Sequence, residues 1–387
     1  MGKELVIGLD LGTTSVKAVM FNRNGKLIAE AEEMIRSYYP QPEWVEQNPR
    51  EIEKSAVATI RDVVQKSGAN KNEILAIGIS CAMHSLICVD EQFEPLSQML
   101  IWADGRASQQ ADHMLQTTGR DIYLKTGTPI HPMSPFLKLV WMKETHYEPY
   151  LQADYFMSMK EYLLLKWFGT RVIDYSMASA SGLMNLTTLD WDTEALEMVG
   201  VERKQLSAIV PPTEALTGLK HQLAEEMGLH SEIPVVIGAA DGQLANLGSG
   251  AINPGEVAIS VGTSGAIRQF IQGARISEKQ DTFSYAFTKN TSIIGGPTNN
   301  GGIALQWLKD LLNFEGSHEE LISSAARVEP GADGIIFLPY VNGERAPLWN
   351  RRAKGNFYGL SSVISKSIWF GRFSKELRLI CSKLVSR

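Results

Sequence analysis

One pattern occurs twice in this 387-residue chain: an apolar strand, a turn of Gly, Thr and Ser residues, and a second apolar strand. In the first copy, residues 5–9 and 15–21 flank a Gly-Thr-Thr turn. In the second copy, residues 257–261 and 266–270 flank Gly262-Thr263-Ser264-Gly265. A spacing of about 250 residues is too long for a solenoid repeat. The pattern therefore predicts an internal duplication, with one such turn in each of two domains.

The length of the chain also predicts two domains. It exceeds the roughly 100 to 200 residues that one domain usually contains. Glycines and a proline loosen the chain over residues 246–254. We therefore predict a first domain at residues 1–247, a second at 248–360, and a segment of different character at 361–387.

Composition excludes several classes of partner. With 44% hydrophobic residues, 21% charged residues and a net charge of −6, the chain has the composition of a globular protein without a basic stripe. We therefore expect no nucleic-acid partner. No stretch reaches the roughly 18 apolar residues that a membrane span needs, and three cysteines predict neither a disulfide framework nor a zinc cluster. We expect a cytoplasmic protein without a membrane partner, and a homodimer is compatible with this composition.

The first 90 residues have a clear secondary-structure pattern. A three-strand meander ends with a strand at 26–32, after an Asn-Gly turn. Helical spacing of apolar residues predicts a helix over 49–65, and strands follow at 74–80 and 86–89. Further along, residues 107–166 are mostly helical in pattern, a strand is predicted at 292–296, and a helix at 300–312.

The first turn has the chemistry of a phosphate-binding loop. Gly12 lets the backbone approach an anion closely, and the amides and hydroxyls of Thr13, Thr14 and Ser15 can donate to it. Asp10, just before the turn, can hold Mg²⁺ through water. A simple hairpin with a polar tip has the same composition, and the run is neither a Walker A motif nor a dinucleotide fingerprint. The turn alone leaves both interpretations open.

Asp241 stands directly after an apolar strand and two alanines. Reactive side chains of α/β proteins commonly occupy such a position. As a general base, it would accept the proton of a hydroxyl that attacks a phosphoryl group. As a structural residue, it would cap a helix that begins near Gly242. The two roles are compatible.

A third group of polar residues follows the strand at 74–80. His84 is placed to face a cleft, where a neutral imidazole can bind a substrate hydroxyl. Trp102 and Asp104 add an aromatic and an acidic group. A hydrogen-bonded structural histidine and surface loops anchored by buried tryptophans would give the same pattern.

Taken together, these segments resemble the FGGY family of carbohydrate kinases, over residues 1 to about 360. Each segment is short, but their joint order is specific. The matching segments are GLDLGTTSVK at 8–17, EWVEQNP at 43–49, AMHS at 82–85, IWADGR at 101–106, SPFLKLVWMKE at 134–144, GAADGQ at 238–243, SVGTSG at 260–265 and NGERAPLW at 342–349.

The resemblance implies an α/β fold of two ribonuclease-H-like domains, of the actin and hexokinase type, around an interdomain cleft. It implies ATP and Mg²⁺ as cofactors, with Asp241 as the general base and Asp10 organising the metal. The residues that it implies for binding the nucleotide phosphates are Gly12, Thr13, Thr14, Ser15, Lys17, Gly262, Thr263, Gly301 and Gly302. Those that it implies for the sugar are Met83, His84, Trp102, Asp104, Asp241, Gln243 and Arg345.

Within the family, the run SCAMHSL with the segments at 43–49 and 342–349 is most similar to the branch that acts on gluconate. The resemblance therefore implies phosphorylation of the 6-hydroxyl of D-gluconate. Arg345 or Lys138 would supply a cation for its carboxylate, or either would be structural. Xylulose or another polyol is the alternative acceptor, and a catalytically impaired binding protein is the alternative from another class.

Residues 361–387 depart from the family pattern. They carry six basic residues against one acid, the reverse of the balance in the rest of the chain. We interpret this segment as a truncated or frame-disrupted end, with a genuine divergent terminus as the alternative. A truncated end would leave the second domain incomplete, its apolar sheet face uncovered and its adenine pocket partial.

Overall fold

A computed structural model describes residues 4–317, 319, 320, 323, 326 and 334–360 of the chain. The predicted basic segment at 361–387 lies outside the described residues. The described strands, in chain order, are β1 (Leu5–Leu11), β2 (Ser15–Asn22), β3 (Leu27–Met34), β4 (Ser37–Tyr38), β5 (Glu46–Gln47), β6 (Ile74–Cys81), β7 (Ile87–Val89), β8 (Met99–Leu100), β9 (Tyr155–Met157), β10 (Val172–Asp174), β11 (Met184–Asn185), β12 (Asp190–Trp191), β13 (Ala208–Val210), β14 (Ala215–Leu216), β15 (Val235–Ala240), β16 (Val257–Val261), β17 (Gly265–Gln272), β18 (Phe283–Ala286), β19 (Thr291–Thr298), β20 (Ile336–Leu338) and β21 (Asn356–Tyr358).

The described helices are α1 (Pro49–Ser67), α2 (Ser108–Leu115), α3 (Gly119–Thr126), α4 (Pro135–Glu144), α5 (Glu148–Gln152), α6 (Met159–Phe168), α7 (Tyr175–Ala180), α8 (Thr193–Val199), α9 (His221–Met227), α10 (Asp241–Gly248) and α11 (Gly302–Leu311). The strands predicted in the first 90 residues are confirmed, as is the largely helical pattern at 107–166. The helices predicted at 49–65 and 300–312 and the strand predicted at 292–296 are also confirmed.

The main sheet has six strands in the order β14-β15-β6-β1-β2-β3. Strands β1, β2 and β3 form the predicted antiparallel meander, while β1 pairs in parallel with β6, and β6 in parallel with β15. Alternate residues of β1 are buried, as expected for a strand whose one face meets the core. Three neighbouring parallel strands therefore end at one edge of this sheet.

Helix α1 packs against β2 and β3 of the same sheet. The Asn48 side chain accepts hydrogen bonds from the first backbone amides of the helix, and Gly68 ends it in the left-handed conformation. The apolar stripe predicted from the spacing, which includes Ile52, Ala56 and Ile60, is buried. Both caps and the stripe are local signals, and together they explain why the helix bounds could be predicted.

The chain forms two compact units. One runs to Gly248 and includes Ile271–Ile276 and Ser284–Ile293, and the other contains the remaining described residues. In the second unit, β16 and β17 form an antiparallel hairpin in which Val261 pairs with Gly265. A small core of Ala304, Leu308 and Phe337 belongs to the same unit. No helix among the residues that the structure describes is long and apolar enough to cross a membrane.

Candidate functional site

The carboxyl ends of β1, β6 and β15 bring together the two acidic residues that the sequence singled out. Asp10 of β1 pairs in register with Ser80 of β6, and Ser80 pairs with Ala239 of β15. Because neighbouring strands lie about 4.8 Å apart, β1 and β15 are about 10 Å apart across β6. Asp241 follows β15 directly, so both carboxylates lie at the edge where α/β proteins place reactive groups.

The buried thiol of Cys81, at the end of β6, lies between these charges. Burial raises its pKa to about 12, Lys160 opposes the shift, and the negative charges of Asp241 and Asp10 add to it. The thiol therefore stays protonated at neutral pH and is not a nucleophile.

Asp10 has a donor set that suits a hydrated cation. Its Oδ1 atom is buried and has no hydrogen-bond partner among the described residues. An unpartnered buried carboxylate oxygen is costly, and a bound cation or its water would satisfy it. Within the part of the chain that the structure describes, no group of three His, Cys, Asp or Glu side chains could hold a metal ion. A divalent cation at Asp10 would therefore take most of its ligands from water and phosphate, as Mg²⁺ commonly does.

The turn after Asp10 is tightly held. The Gly12 amide donates to the Ser15 carbonyl at 3.1 Å, and a Cβ atom on Gly12 would lie 2.9 Å from that oxygen. The Thr13 hydroxyl accepts a hydrogen bond from Trp102 Nε1 at 3.0 Å, and its carbonyl accepts one from Gln47 Nε2 at 2.7 Å. Gly12, Thr13, Gln47 and Trp102 line one small cavity together with Met83. Sequence reasoning missed Gln47, which stands in the quoted segment EWVEQNP but carries no chemical signal of its own.

Ser15 and Lys17, both predicted to bind phosphate, form side-chain contacts with β3. The Ser15 hydroxyl donates to Glu32 at 2.6 Å, and Lys17 forms an ion pair with Glu30 at 3.1 Å. Both partners, Glu32 and Glu30, belong to β3, which is the antiparallel neighbour of β2. The phosphate-binding roles of Ser15, Lys17 and Thr14 stay predictions.

Asp241 opens α10 with an exposed side chain. Its Oδ1 atom accepts a hydrogen bond from the Gly242 amide at 2.8 Å, so the carboxylate is oriented by the start of the helix that the sequence predicted. Two residues later, the Gln243 side chain is buried and neither of its amide atoms has a hydrogen-bond partner among the described residues. An amide group that can both donate and accept suits a polyhydroxylated ligand.

His84 lies in a constrained loop after β6. It has a positive φ of 68° and is buried. Its Nδ1 atom is 2.9 Å from the Ala180 carbonyl, which can only accept, so Nδ1 carries the proton. In the neutral ring, Nε2 is then an acceptor suited to a substrate hydroxyl. The ring is therefore held by a structural hydrogen bond and keeps an atom with the predicted chemistry.

Lys138 is fully buried, and its side chain forms a hydrogen bond with the loop that contains His84. Its ammonium group donates to the carbonyl oxygens of His84 and Met133, the latter at 2.8 Å. Burial lowers its pKa to about 7, with Arg106 acting in the same direction and Asp104 opposing. Since both contacts are to backbone carbonyls, the structural interpretation of Lys138 suits its position better than binding of a sugar carboxylate.

The burial of Lys138 makes stability depend on pH. Between pH 7 and about 10 the unfolded chain binds more protons at this residue, because its ordinary pKa is 10.5. Raising the pH in this range should therefore stabilise wild type relative to Lys138→Met, by up to about 1.4 kcal/mol per pH unit. Urea unfolding of both proteins at pH 6.5, 7.5 and 8.5 measures the difference. A difference that is flat or that falls with pH would contradict the buried position.

Asp104 belongs to a buried ion cluster. Both of its oxygens bind Arg106, at 2.8 Å each, and Oδ2 also accepts from the Val45 amide. Arg106 in turn binds Glu46 at 2.6 Å and stacks over the ring of Trp44. This arrangement anchors the loops on either side and leaves Asp104 1% exposed. Because Arg106 and the Val45 amide bind both oxygens of Asp104, its predicted contact with the sugar is the least supported of the set and stays a prediction.

The second unit carries the other Gly-Thr turn. The first amides of α11 bind it, with Gly302 donating to the Gly262 carbonyl at 2.7 Å and Ile303 to the Thr263 carbonyl at 3.1 Å. A Cβ atom on Gly301 would lie 2.6 Å from Ser264. Glycines 301 and 302 thus allow a helix to start directly on the turn. Gly262 and Thr263 are exposed, and their phosphate-binding role stays a prediction.

Arg345, the predicted cation for a sugar carboxylate, lies in a hydrogen-bonded loop of the second unit. Its Nη2 atom donates to the Thr298 carbonyl at 3.2 Å, and its backbone amide donates to Glu344 at 2.8 Å. Glu344 is fully buried and also binds Thr298 and Asn300. The loop is therefore well supported, and carboxylate binding by Arg345 stays a prediction.

Comparison with known proteins places this geometry in context. A family model described as the FGGY family of carbohydrate kinases, N-terminal domain, matches residues 5–248. Gluconokinase of Bacillus subtilis (strain 168) is 42% identical over 369 residues, which cover 92% of this chain and 71% of that protein. The crystal structure of gluconate kinase from Lactobacillus acidophilus aligns with a TM-score of 0.95 at 33% identity and covers 99% of this chain and 77% of the other. The structure of ligand-bound xylulose kinase from Lactobacillus acidophilus gives the same TM-score and identity, with 99% and 78% covered. The predicted α/β fold of the actin and hexokinase type is confirmed.

Proposed function

Because the chain belongs to the FGGY family of carbohydrate kinases, we propose that it transfers the γ-phosphoryl group of ATP to the 6-hydroxyl of D-gluconate. The observation that carries the chemistry is the pair of carboxylates, Asp10 and Asp241, at the carboxyl edge of two parallel strands that flank β6. The choice of gluconate is supported by the 42% identity to the gluconokinase of Bacillus subtilis, against 28% to the xylulose kinase of Staphylococcus epidermidis.

Asp241 has the position of a general base. Its exposed carboxylate would accept the proton of the 6-hydroxyl while that oxygen bonds to the γ-phosphorus and the bond to the ADP oxygen breaks. The hydrogen bond from the Gly242 amide keeps the carboxylate oriented. Its role in the reaction is to receive and hold a proton. Asparagine, the amide isostere of aspartate, would remove that role while keeping the shape of the side chain.

Asp10 is the residue that would hold Mg²⁺, through its buried unpartnered oxygen. When bound, Mg²⁺ would offset the negative charge of the nucleotide phosphates. The neighbouring Gly12 turn would present backbone amides to the same anion, which agrees with its tight backbone geometry.

Met83, His84, Trp102 and Gln243 are the proposed sugar-binding residues. The protonated Nδ1 of His84 fixes the tautomer, so its Nε2 would accept a hydrogen bond from a sugar hydroxyl. Gln243 would both donate and accept, which supports a ligand with several hydroxyl groups. Trp102 supplies an apolar face beside the turn that holds Thr13.

Xylulose is the second candidate acceptor, because a xylulose kinase structure matches as well as the gluconate kinase structure. The two sugars differ in charge: gluconate carries a carboxylate and xylulose does not. One charge-assisted hydrogen bond to that carboxylate contributes about 1.5 to 3 kcal/mol, so we expect kcat/KM for gluconate to exceed that for xylulose by about 10- to 100-fold.

A coupled assay of ADP release with the full chain measures both values, and a reaction without sugar gives the ATP hydrolysis background. A higher kcat/KM for xylulose would transfer the proposal to that substrate. Turnover of neither sugar by a folded chain that binds ATP would favour the catalytically impaired binding protein.

A further inference from the structure

A buried ion pair lies behind the strand that carries Asp241. Lys160 of α6 and Asp174, the residue before α7, form this pair with side chains that are 1% and 0% exposed. Removing two charges from water costs several kcal/mol per ion, and a hydrophobic pair of the same volume is often as stable. Folding stability alone therefore does not explain why these two charged side chains are buried.

Building on the proposed role of Asp241 as the base, we propose that Lys160, Asp174 and Ser176 are positioning residues that fix the end of β15. None of the three is a catalytic residue in this proposal. They act on the backbone at two points: Ile237, which lies within a break in the strand register, and Ala240, which lies just beyond it.

The first contact point is a bulge in β15. Its register with β6 shifts between Val236 and Ala239. Gly238 has a positive φ of 62°, and a Cβ atom there would lie 2.0 Å from the Ile79 carbonyl. The Ile237 carbonyl accepts a hydrogen bond from Lys160 Nζ at 3.2 Å. Bulges re-aim the chain near active sites, and Lys160 holds this one on its carbonyl side.

The amides of the bulge are also occupied. Ile237 donates to the Glu214 carbonyl at 3.0 Å, and Gly238 donates to the Pro212 carbonyl at 3.1 Å. With Lys160 on the Ile237 carbonyl, the irregular segment is fixed by bonds from two different parts of the first unit. A segment held in this way has one conformation, and the direction in which the chain leaves it is set.

The second contact point is the residue directly before Asp241. Asp174 accepts hydrogen bonds from the amides of Ser176 and Met177, so it caps α7, and it also accepts from the Ser176 hydroxyl. That hydroxyl in turn accepts a hydrogen bond from the Ala240 amide at 2.8 Å. The Ser176 hydroxyl thus links the carboxylate of the ion pair to the backbone amide of Ala240, the residue directly before the proposed base.

These two contacts hold Ile237 and Ala240, which are the first and the last of the four residues before Asp241. A misplacement of about 1 Å at a reacting group can cost about 100-fold in rate. Because the contacts act on position and not on the sugar, loss of the ion pair should lower kcat and leave KM for the sugar nearly unchanged. Loss of folding stability alone would instead reduce the amount of active protein.

The test compares four variants of the full chain in the gluconate assay. Lys160→Met leaves a buried carboxylate unpaired, so its melting temperature should fall. Lys160→Met/Asp174→Asn removes both charges and keeps a capping oxygen for α7, so most of that melting temperature should return. Ser176→Ala removes the acceptor of the Ala240 amide. Lys166→Met is the matched control, since Lys166 lies on the same helix and pairs with Glu94 on the surface.

We expect the double variant and Ser176→Ala to have kcat about 10- to 100-fold below wild type, with KM for gluconate within about twofold. Lys166→Met should keep wild-type kcat. If the double variant regains kcat together with its melting temperature, or if Ser176→Ala keeps wild-type kcat, the ion pair serves folding only and the inference is wrong.

Asp241→Asn, measured beside these variants, separates the inference from the function on which it rests. If wild type does not phosphorylate gluconate, or if Asp241→Asn keeps its activity, the proposed function fails first. If Asp241→Asn is inactive while the double variant and Ser176→Ala are fully active, only the positioning role fails.

Discussion

Asp241→Asn should lower kcat for gluconate by about 10²- to 10⁴-fold, which is the usual contribution of a general base. The amide has nearly the same shape as the carboxylate but cannot accept the proton of the attacking hydroxyl. Because substrate binding does not depend on that proton transfer, KM should change little. Steady-state kinetics with the coupled assay give both constants.

The structure also predicts that this variant folds normally. Asp241 is exposed, and asparagine is as good as aspartate at the start of a helix, where the Gly242 amide donates to the side chain. Its urea unfolding should therefore match wild type within about 0.5 kcal/mol. A kcat within tenfold of wild type would mean that the proton leaves by another route and that Asp241 is not the base.

Gly238→Ala should have the largest effect on stability. The added Cβ atom would lie 2.0 Å from the Ile79 carbonyl, so β15 and β6 would have to separate where they pair. A positive φ of 62° adds about 1 to 2 kcal/mol for any residue with a Cβ atom. Together we expect a loss of at least about 3 kcal/mol in the free energy of unfolding, measured in urea.

Gly248→Ala is the matched control for this substitution. Gly248 ends α10, and a Cβ atom there would meet nothing within 4 Å. Alanine favours a helix over glycine by about 1 kcal/mol, so this variant should be as stable as wild type or more stable. Equal unfolding curves for the two variants would show that the bulge is not built as described.

Residues next to strong local signals could be predicted from the sequence. Asp10 and Asp241 each follow a short apolar strand, and α1 has a capping residue and a terminal glycine within its own segment. Such features depend on neighbours in the chain, and the structure places them as predicted. The edge at which Asp10 and Asp241 lie was harder to foresee, because it depends on β6 pairing with both β1 and β15.

Side chains whose partners are distant in sequence could not be assigned in this way. Lys138 reads as a cation available to a ligand, yet it is buried and donates a hydrogen bond to the carbonyl of His84, 54 residues away. Asp104 reads as a polar residue near a tryptophan, yet its Oδ2 atom accepts a hydrogen bond from the Val45 amide, 59 residues away. Lys160 and Ser176 carry no motif at all, and only the tertiary fold connects them with the end of β15.

The product of the reaction tests the central proposal most directly. The full chain would be incubated with ATP, Mg²⁺ and D-gluconate, and the product examined by phosphorus–proton correlation NMR, with Asp241→Asn as the control. We predict a phosphomonoester on carbon 6 of gluconate from wild type and none from the variant in the same time. A phosphate on another oxygen, or ADP release that is the same with and without gluconate, would contradict the proposal.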